Sequence, residues 1–293
     1  MTNLKSLKKS IASTESLQSI VTTMKAHAST QIHQFERAAQ ASVSYRRVLD
    51  TALAVLLADE EKKTANNGNG DRTIHIIFGS DHGLTGNFNE RMSFFAAQHI
   101  PKDAYHDILV VGQQVYDRLV TDYAIKDSFS VPQTEDGIVP IVQRLLFKID
   151  QLRDEAPVGK ILLYYCKPLE NAVLQEEIEL LFPLDLEELA KNHDGWETNR
   201  ISIYLMDKET LLSNLLQQYF FLTLYRAFCY SLVSENTSRI NSMNSAEKNI
   251  EERLNEFNFM YRMKRQSSIT EEINDLLSGF RSLKKSKKNL PEE

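Results

Sequence analysis

The residues best suited to chemistry stand together after a β-branched run: Gly79-Ser-Asp-His-Gly83-Leu-Thr-Gly86-Asn-Phe-Asn89. Glycines between a strand and a helix are where backbone N–H groups cradle a phosphate. The spacing fits neither common phosphate fingerprint. A P-loop ends in Gly-Lys-Ser/Thr, whereas Asn87 follows Gly86 here. A dinucleotide site needs GxGxxG and an acidic ribose partner about 20 residues on; the glycine spacing differs, and Asp103, near that distance, falls on a loop. The structural reading is a tight turn whose glycines accept positive φ, held by Ser80 or Asp81.

His82 lies on that turn beside Asp81, with no cysteine near. The other histidines (His27, His33, His75, His99, His106, His193) form no HxxxH or HExxH pair able to hold a metal. No GxSxG elbow is present. Cys166 and Cys229 lack zinc spacing and read as buried thiols rather than a disulfide. An enzyme would therefore rest on fold class, and neither cofactor nor catalytic residue is expected.

The elements around this turn are of two kinds. From 196 to 278 there is no glycine or proline, and Leu212, Leu215, Leu216, Tyr219, Val233, Ile240, Ile250, Leu254, Phe257 and Met260 recur at helical spacing. A helix of ~75 residues would be ~110 Å long, against ~40 Å for a compact domain of this size. It should therefore project and need a partner. Residues 2–67 also lack glycine and proline, and Leu4, Leu7, Ile11, Leu17, Val21, Met24, Ala28, Ile32, Phe35 and Ala39 step at threes and fours. The two ends predict an antiparallel two-helix coiled coil. Its seam is expected to be thin, with Ala12, Ser13, Ser16, Ser19, Ala26, Ala28 and Ser29 facing the Ser/Asn-rich run 231–249.

The middle reads differently. Thr73–Phe78, Ile108–Val111, Lys160–Tyr165, Glu177–Phe182 and Ile201–Leu205 are strand-like, while Phe88–Gln98, Gln113–Thr121 and Ile138–Arg153 are helix-like. Alternation of this kind predicts a Rossmann-like α/β domain with a largely parallel sheet. The expected organisation is an N-terminal coiled-coil helix over 1–65, an α/β domain over 66–206, and a C-terminal helix with a basic tail over 207–293.

The 293 residues are 42 % apolar and 25 % charged, ordinary for a soluble protein, with a net charge of −6. No apolar run reaches the ~18 residues of a membrane span. The polar, lysine-bearing start lacks the apolar core of a secretory signal, which points to a cytoplasmic chain. Residues 170–194 carry eight acids and one base, whereas 280–293 carry five bases and two acids. No aromatics interleave the tail lysines, so nucleic acid is not the expected partner; lysines at a helix end also complement its dipole.

With the elements in place, the turn Ser80-Asp-His-Gly-Leu-Thr-Gly-Asn-Phe-Asn89 resembles the SD-x-GLCG-x-x-N stretch of the gamma subunits of F-type ATP synthases, with Thr85 where cysteine is usual. Ser234-Glu-Asn-Thr-Ser-Arg239-Ile-Asn-Ser-Met243 resembles that family's SE-x-x-ARM-x-AM. Arg265-Gln-Ser-Ser-Ile-Thr270-Glu-Glu272-Ile resembles its RQ-x-x-IT-x-E-[IL], and Ser278 to Leu283 its GA-x-A-L. Ser19 to Lys25 is similar to KIT-x-AM. The departures are Asn236, Thr237 and Ser238 before Arg239, Arg262-Met-Lys264 for Asn-Lys-Ala, and a longer basic extension. Phe88-Asn-Glu-Arg91 resembles the gamma-like subunits of alternative, second-operon F-type ATPases.

The resemblance implies a non-catalytic rotor shaft in the cavity of an α3β3 ring. The α/β domain would be a foot beside the epsilon subunit and the membrane c-ring, at the cytoplasmic face of the cell membrane and without insertion. It implies that Arg239, Arg265, Gln266, Thr270 and Glu272 match positions that hydrogen-bond the ring's catalytic subunits, and that Met24 and Lys25 face moving β-subunit loops. The same residues also fit a solvated helix face or i,i+4 pairs. A self-contained coiled-coil scaffold is the alternative function, and the coupling ion, H⁺ or Na⁺, is not encoded here.

Overall fold

The structure, a computed structural model, describes residues 4–57, 70–101, 105–169, 173–184 and 205–288. Helix α1 (Leu4–Leu57) is followed by β1 (Arg72–Phe78), α2 (Phe88–His99), β2 (His106–Val111), α3 (Gln113–Leu119) and β3 (Ile125–Phe129). A 3-10 turn leads into α4 (Ile138–Glu155), β4 (Val158–Pro168), β5 (Leu174–Phe182) and α5 (Lys208–Lys288). The chain divides into two compact units, Ala26–Ser242 and a second made of Met1–Lys25 with Met243–Glu293.

In the larger unit the sheet order is β3-β2-β1-β4-β5. β1 pairs in parallel with β2 and β4, β2 with β3, and only β5 runs antiparallel, against β4. This is the expected Rossmann-like layer. β1, RTIHIIF, is buried along nearly its whole length, as a central parallel strand must be. α4 shows why its segment is helical: Ile138, Val142, Leu145, Ile149 and Leu152 recur at 3.6-residue spacing and are all buried. Its Pro140 sits in the first turn, where no N–H is needed.

Each sheet face has its own core. Ile74, Ile76, Phe78, Leu109 and Leu163 pack with Phe35 of α1, with α4, and with Leu224, Phe228 and Leu232 of α5. On the other face Ile77, Ile108, Val110 and Tyr164 meet Phe88 and Met92 of α2 and Val115 and Leu119 of α3. α5 is buried at every position from Ser231 to Asn236, so the sheet unit encloses this stretch rather than leaving it on a rod surface.

Several expectations are corrected. β3 was not foreseen, and α3 ends at Leu119 rather than Thr121. The strand expected over Ile201–Leu205 lies outside the described residues except for Leu205, which is fully exposed and in no strand. The thin seam is not built as expected: Ala12, Ser13, Ser16, Ser19, Ala26 and Ser29 are exposed, as is Leu17. The inward positions of α1 follow a seven-residue repeat instead, Leu7, Thr14, Val21, Ala28, Phe35, Ser42 and Leu49 interleaved with Ile11, Gln18, Lys25, Ile32, Ala39, Arg46 and Leu53, every one buried or half-buried. Such a seam follows the heptad, whatever side chain fills it.

Candidate functional site

In a sheet of this order, ligands bind outside the carboxyl ends of the strands, where the strand order reverses. That point lies beyond β1 and β4. The glycine-rich turn after β1 is knitted from its own side chains. Ser80 N–H donates to Asn89 Oδ1 at 3.0 Å, Asn89 Nδ2 donates to Ser80 Oγ at 2.8 Å, and Ser80 Oγ donates to the His82 carbonyl at 2.9 Å. Asp81 reaches further: Oδ1 accepts from Gln113 N–H at 3.0 Å and Oδ2 from Val131 N–H at 2.8 Å. One carboxylate thus ties the ends of β1, β2 and β3 and meets an orphan N–H at the start of α3.

Glycine is required at Gly112 and favoured at Gly86. Gly112 has φ +107° and a Cβ there would come within 2.7 Å of Ser80 N, while Gly86 has φ +56°. Leu84 adopts φ +63° without being glycine and is exposed.

The crevice is filled by the chain itself. Ser234 Oγ of α5 donates to the Cys166 carbonyl at 2.9 Å, and Ser238 Oγ donates to the Thr85 carbonyl at 2.7 Å. Glu235 between them is buried and pairs through Oε1 with Arg239 Nη2 at 2.5 Å, while Arg239 Nη1 donates to Asn236 Oδ1 at 2.9 Å. Burial pushes the Glu235 carboxyl above its ordinary value, and Arg239 pulls it back. Its Oε2 has no hydrogen-bond partner among the described residues. Cys166 and Cys229 are free thiols, both pushed up to about 12 by burial and so unreactive near neutrality. No cluster of metal-ligating side chains occurs among the described residues.

The expected contact residues divide between the two units. Arg239 belongs to the larger unit and is engaged as above. In the smaller unit Lys25 Nζ donates to Glu247 Oε2 at 2.5 Å, and Leu7, Val21 and Met243 are buried. This pair joins α1 to α5. Met24 is half-buried. Arg265, Gln266, Thr270 and Glu272 are exposed, and Thr270 Oγ1 donates back to the Gln266 carbonyl at 2.9 Å. Ile269, Ile273, Leu276, Leu277 and Phe280 are 47–71 % exposed and share one face of α5. Sequence reasoning missed Ser234, Glu235 and Ser238 as crevice-filling groups; the available signal was two serines one helical turn apart flanking an acid.

Comparison with known proteins agrees with this geometry. The ATP synthase family model matches residues 3–283. Curated relatives include the ATP synthase gamma chain of Wolbachia pipientis subsp. Culex pipiens (strain wPip), 26 % identical over 296 residues covering 97 % of this chain and 100 % of that one. The gamma chain of Pelagibacter ubique (strain HTCC1062) is 28 % identical over 313 residues, with the same coverage. Among solved structures, a chain of the Euglena gracilis mitochondrial ATP synthase OSCP/F1/c-ring assembly aligns with a TM-score of 0.67 at 15 % identity, covering 99 % of this chain and 97 % of that one. A chain of the Tetrahymena thermophila mitochondrial ATP synthase central stalk/c-ring aligns with a TM-score of 0.54 at 17 % identity, covering 78 % and 99 %. With the matched family spanning both terminal helices and the sheet between them, the chain belongs to the ATP synthase family, as one of its gamma chains.

Proposed function

We propose that the chain is the central rotor stalk of an F-type ATP synthase or ATPase, coupling ion-driven rotation of a membrane c-ring to ATP synthesis or hydrolysis in an α3β3 ring. Its partners are the alpha, beta and epsilon subunits and the c-ring. It is itself non-catalytic and works as a peripheral subunit at the cytoplasmic face of the membrane. Residues 1–65 and 207–293 supply the shaft and 66–206 the foot. No described helix is long and apolar enough to cross a membrane.

The observation that carries this reading is the exposed face of α5 from Arg265 to Phe280, polar at Arg265, Gln266, Thr270 and Glu272 and apolar at Ile269, Ile273 and Phe280. A ring sleeve would cover such a face. The crevice at the strand ends, filled by Ser234, Glu235 and Ser238, argues in the same direction, because the place where an α/β enzyme would take a ligand is occupied by the chain's own helix. Arg265, Gln266, Thr270 and Glu272 are proposed to contact the ring's catalytic subunits, with Arg239 contributing donors left over from its bonds to Glu235 and Asn236. Met24 and Lys25 are proposed to face moving β-subunit loops. Such contacts form and break with angle, since one deep apolar dock would trap the shaft.

Co-expression with ATPase alpha and beta subunits tests this. A rotor stalk co-purifies as α3β3γ and raises ATP hydrolysis. A chain that elutes apart from them, as a homodimer, would instead be a self-contained scaffold.

A further inference from the structure

Beneath α2 the otherwise apolar layer contains two histidines. His75 of β1 is 3 % exposed, and its Nδ1 lies 2.9 Å from the hydroxyl of Tyr164 on β4. His106 of β2 stands edge-on to it, ring centroids 5.7 Å apart, and its buried Nδ1 has no hydrogen-bond partner among the described residues. The surrounding groups are named by element. β4 presents Tyr164 and, on the same face at its exposed start, Lys160. α2 presents Phe95, 6.4 Å from the Tyr164 ring, and the exposed His99 beyond it. Tyr123, after α3, lies 6.3 Å from His106. Arg91 of α2 pairs with Glu176 of β5, and among the described residues no carboxylate stands beside His75.

A neutral imidazole and a phenol need one proton for the bond between them. An imidazolium fixes a proton on Nδ1, so the Tyr164 oxygen must accept and turn its own proton elsewhere. Among the described residues Tyr164 Oη bonds only His75. The new charge would sit in an apolar layer beside a second histidine, with no carboxylate among the described residues to balance it.

We propose that His75, His106 and Tyr164 form an acid-sensitive joint: protonation of His75 fixes it as the donor to Tyr164, leaves the phenol proton without an acceptor among the described residues, and loosens α2 from β1, β2 and β4. Burial, and then His106, hold His75 down at about 4, against the ordinary value of 6.5. Tyr164 is pushed up to about 12 and remains a phenol throughout. Because the folded value is depressed, the opened form takes up the proton first as pH falls below 6.5, and the closed form loses ground until about pH 4. For these values, opening rises about tenfold between about pH 7.5 and 5.5.

Hydrogen exchange of the full chain, corrected for the pH dependence of intrinsic exchange, tests the joint. Amides of α2 should lose about tenfold more protection over that interval than those of α4 on the opposite face, and His75→Gln should remove the difference. The His75 ring, followed by NMR through its contact with the Tyr164 ring, should stay neutral down to about pH 5. Equal loss in α2 and α4, or a difference that survives His75→Gln, would overturn the proposal. So would a His75 ring that titrates near 6.5, a readout that needs no variant to fold.

Discussion

The hydroxyl of Ser238 donates to the carbonyl of Thr85 at 2.7 Å, although 153 positions separate them in the chain. Through this bond and its neighbour from Ser234 to Cys166, α5 seals the crevice at the strand ends. The Thr85 carbonyl also accepts from Phe88 N–H at 3.2 Å, so it keeps one partner if the hydroxyl is lost. Ser238→Ala should therefore cost about 1 kcal/mol in urea unfolding. Ser238→Leu must place its branch against the backbone of Gly86, whose Cβ position lies 3.7 Å from Ser238 Oγ. It should cost about 1–3 kcal/mol by overpacking. Equal stability of the two variants would mean that the crevice is not tightly filled.

How far this arrangement was legible depends on the kind of residue. β1, β2 and β4 announce themselves through runs such as Ile76-Ile77-Phe78, and α4 through its apolar period. β3 was missed because Ile-Lys-Asp-Ser-Phe breaks apolar alternation; it is an edge strand with a register shift beside Lys126, so half of it faces water. The inner face of α1 was misjudged because Thr14, Gln18, Lys25 and Arg46 occupy heptad positions. Polar side chains there look like surface until Lys25 finds Glu247 and Arg46 finds Asp50 and Thr223. The crevice was readable from one side only. The glycine turn was visible, whereas its occupant lies on a helix far along the chain.

Arg72 and Asp107 form a contact ion pair whose side chains are 4 % and 3 % exposed. Glu155 reaches the guanidinium only at 3.5 Å and is itself half in solvent. Asp107→Ala would strand a buried charge and should destabilise the sheet unit by about 3–5 kcal/mol in denaturant unfolding. A loss below ~1 kcal/mol would mean that Glu155 or water takes over.

The Lys25–Glu247 pair is of the other kind, with side chains 29 % and 36 % exposed. A double-mutant cycle with Lys25→Ala and Glu247→Ala should yield a coupling of about 0.2–1 kcal/mol that shrinks as salt is raised. A larger, salt-independent coupling would place it among the buried pairs.

Arg265 and Gln266 are exposed on α5. Replacing both with alanine should leave the unfolding of the isolated chain within about 0.5 kcal/mol. In an assembled α3β3γ complex the same change should lower ATP turnover or assembly, since a charge-assisted bond across to a ring subunit nets about 1.5–3 kcal/mol. A destabilised isolated chain with normal assembled turnover would make these residues structural.

The rotor claim is tested most directly by watching the chain turn. With α3β3 fixed to a surface and a bead attached through Phe94→Cys, an exposed site on α2, ATP should drive continuous rotation in one direction that stops when ATP is withdrawn. A complex that hydrolyses ATP while the bead only fluctuates without direction would contradict the account.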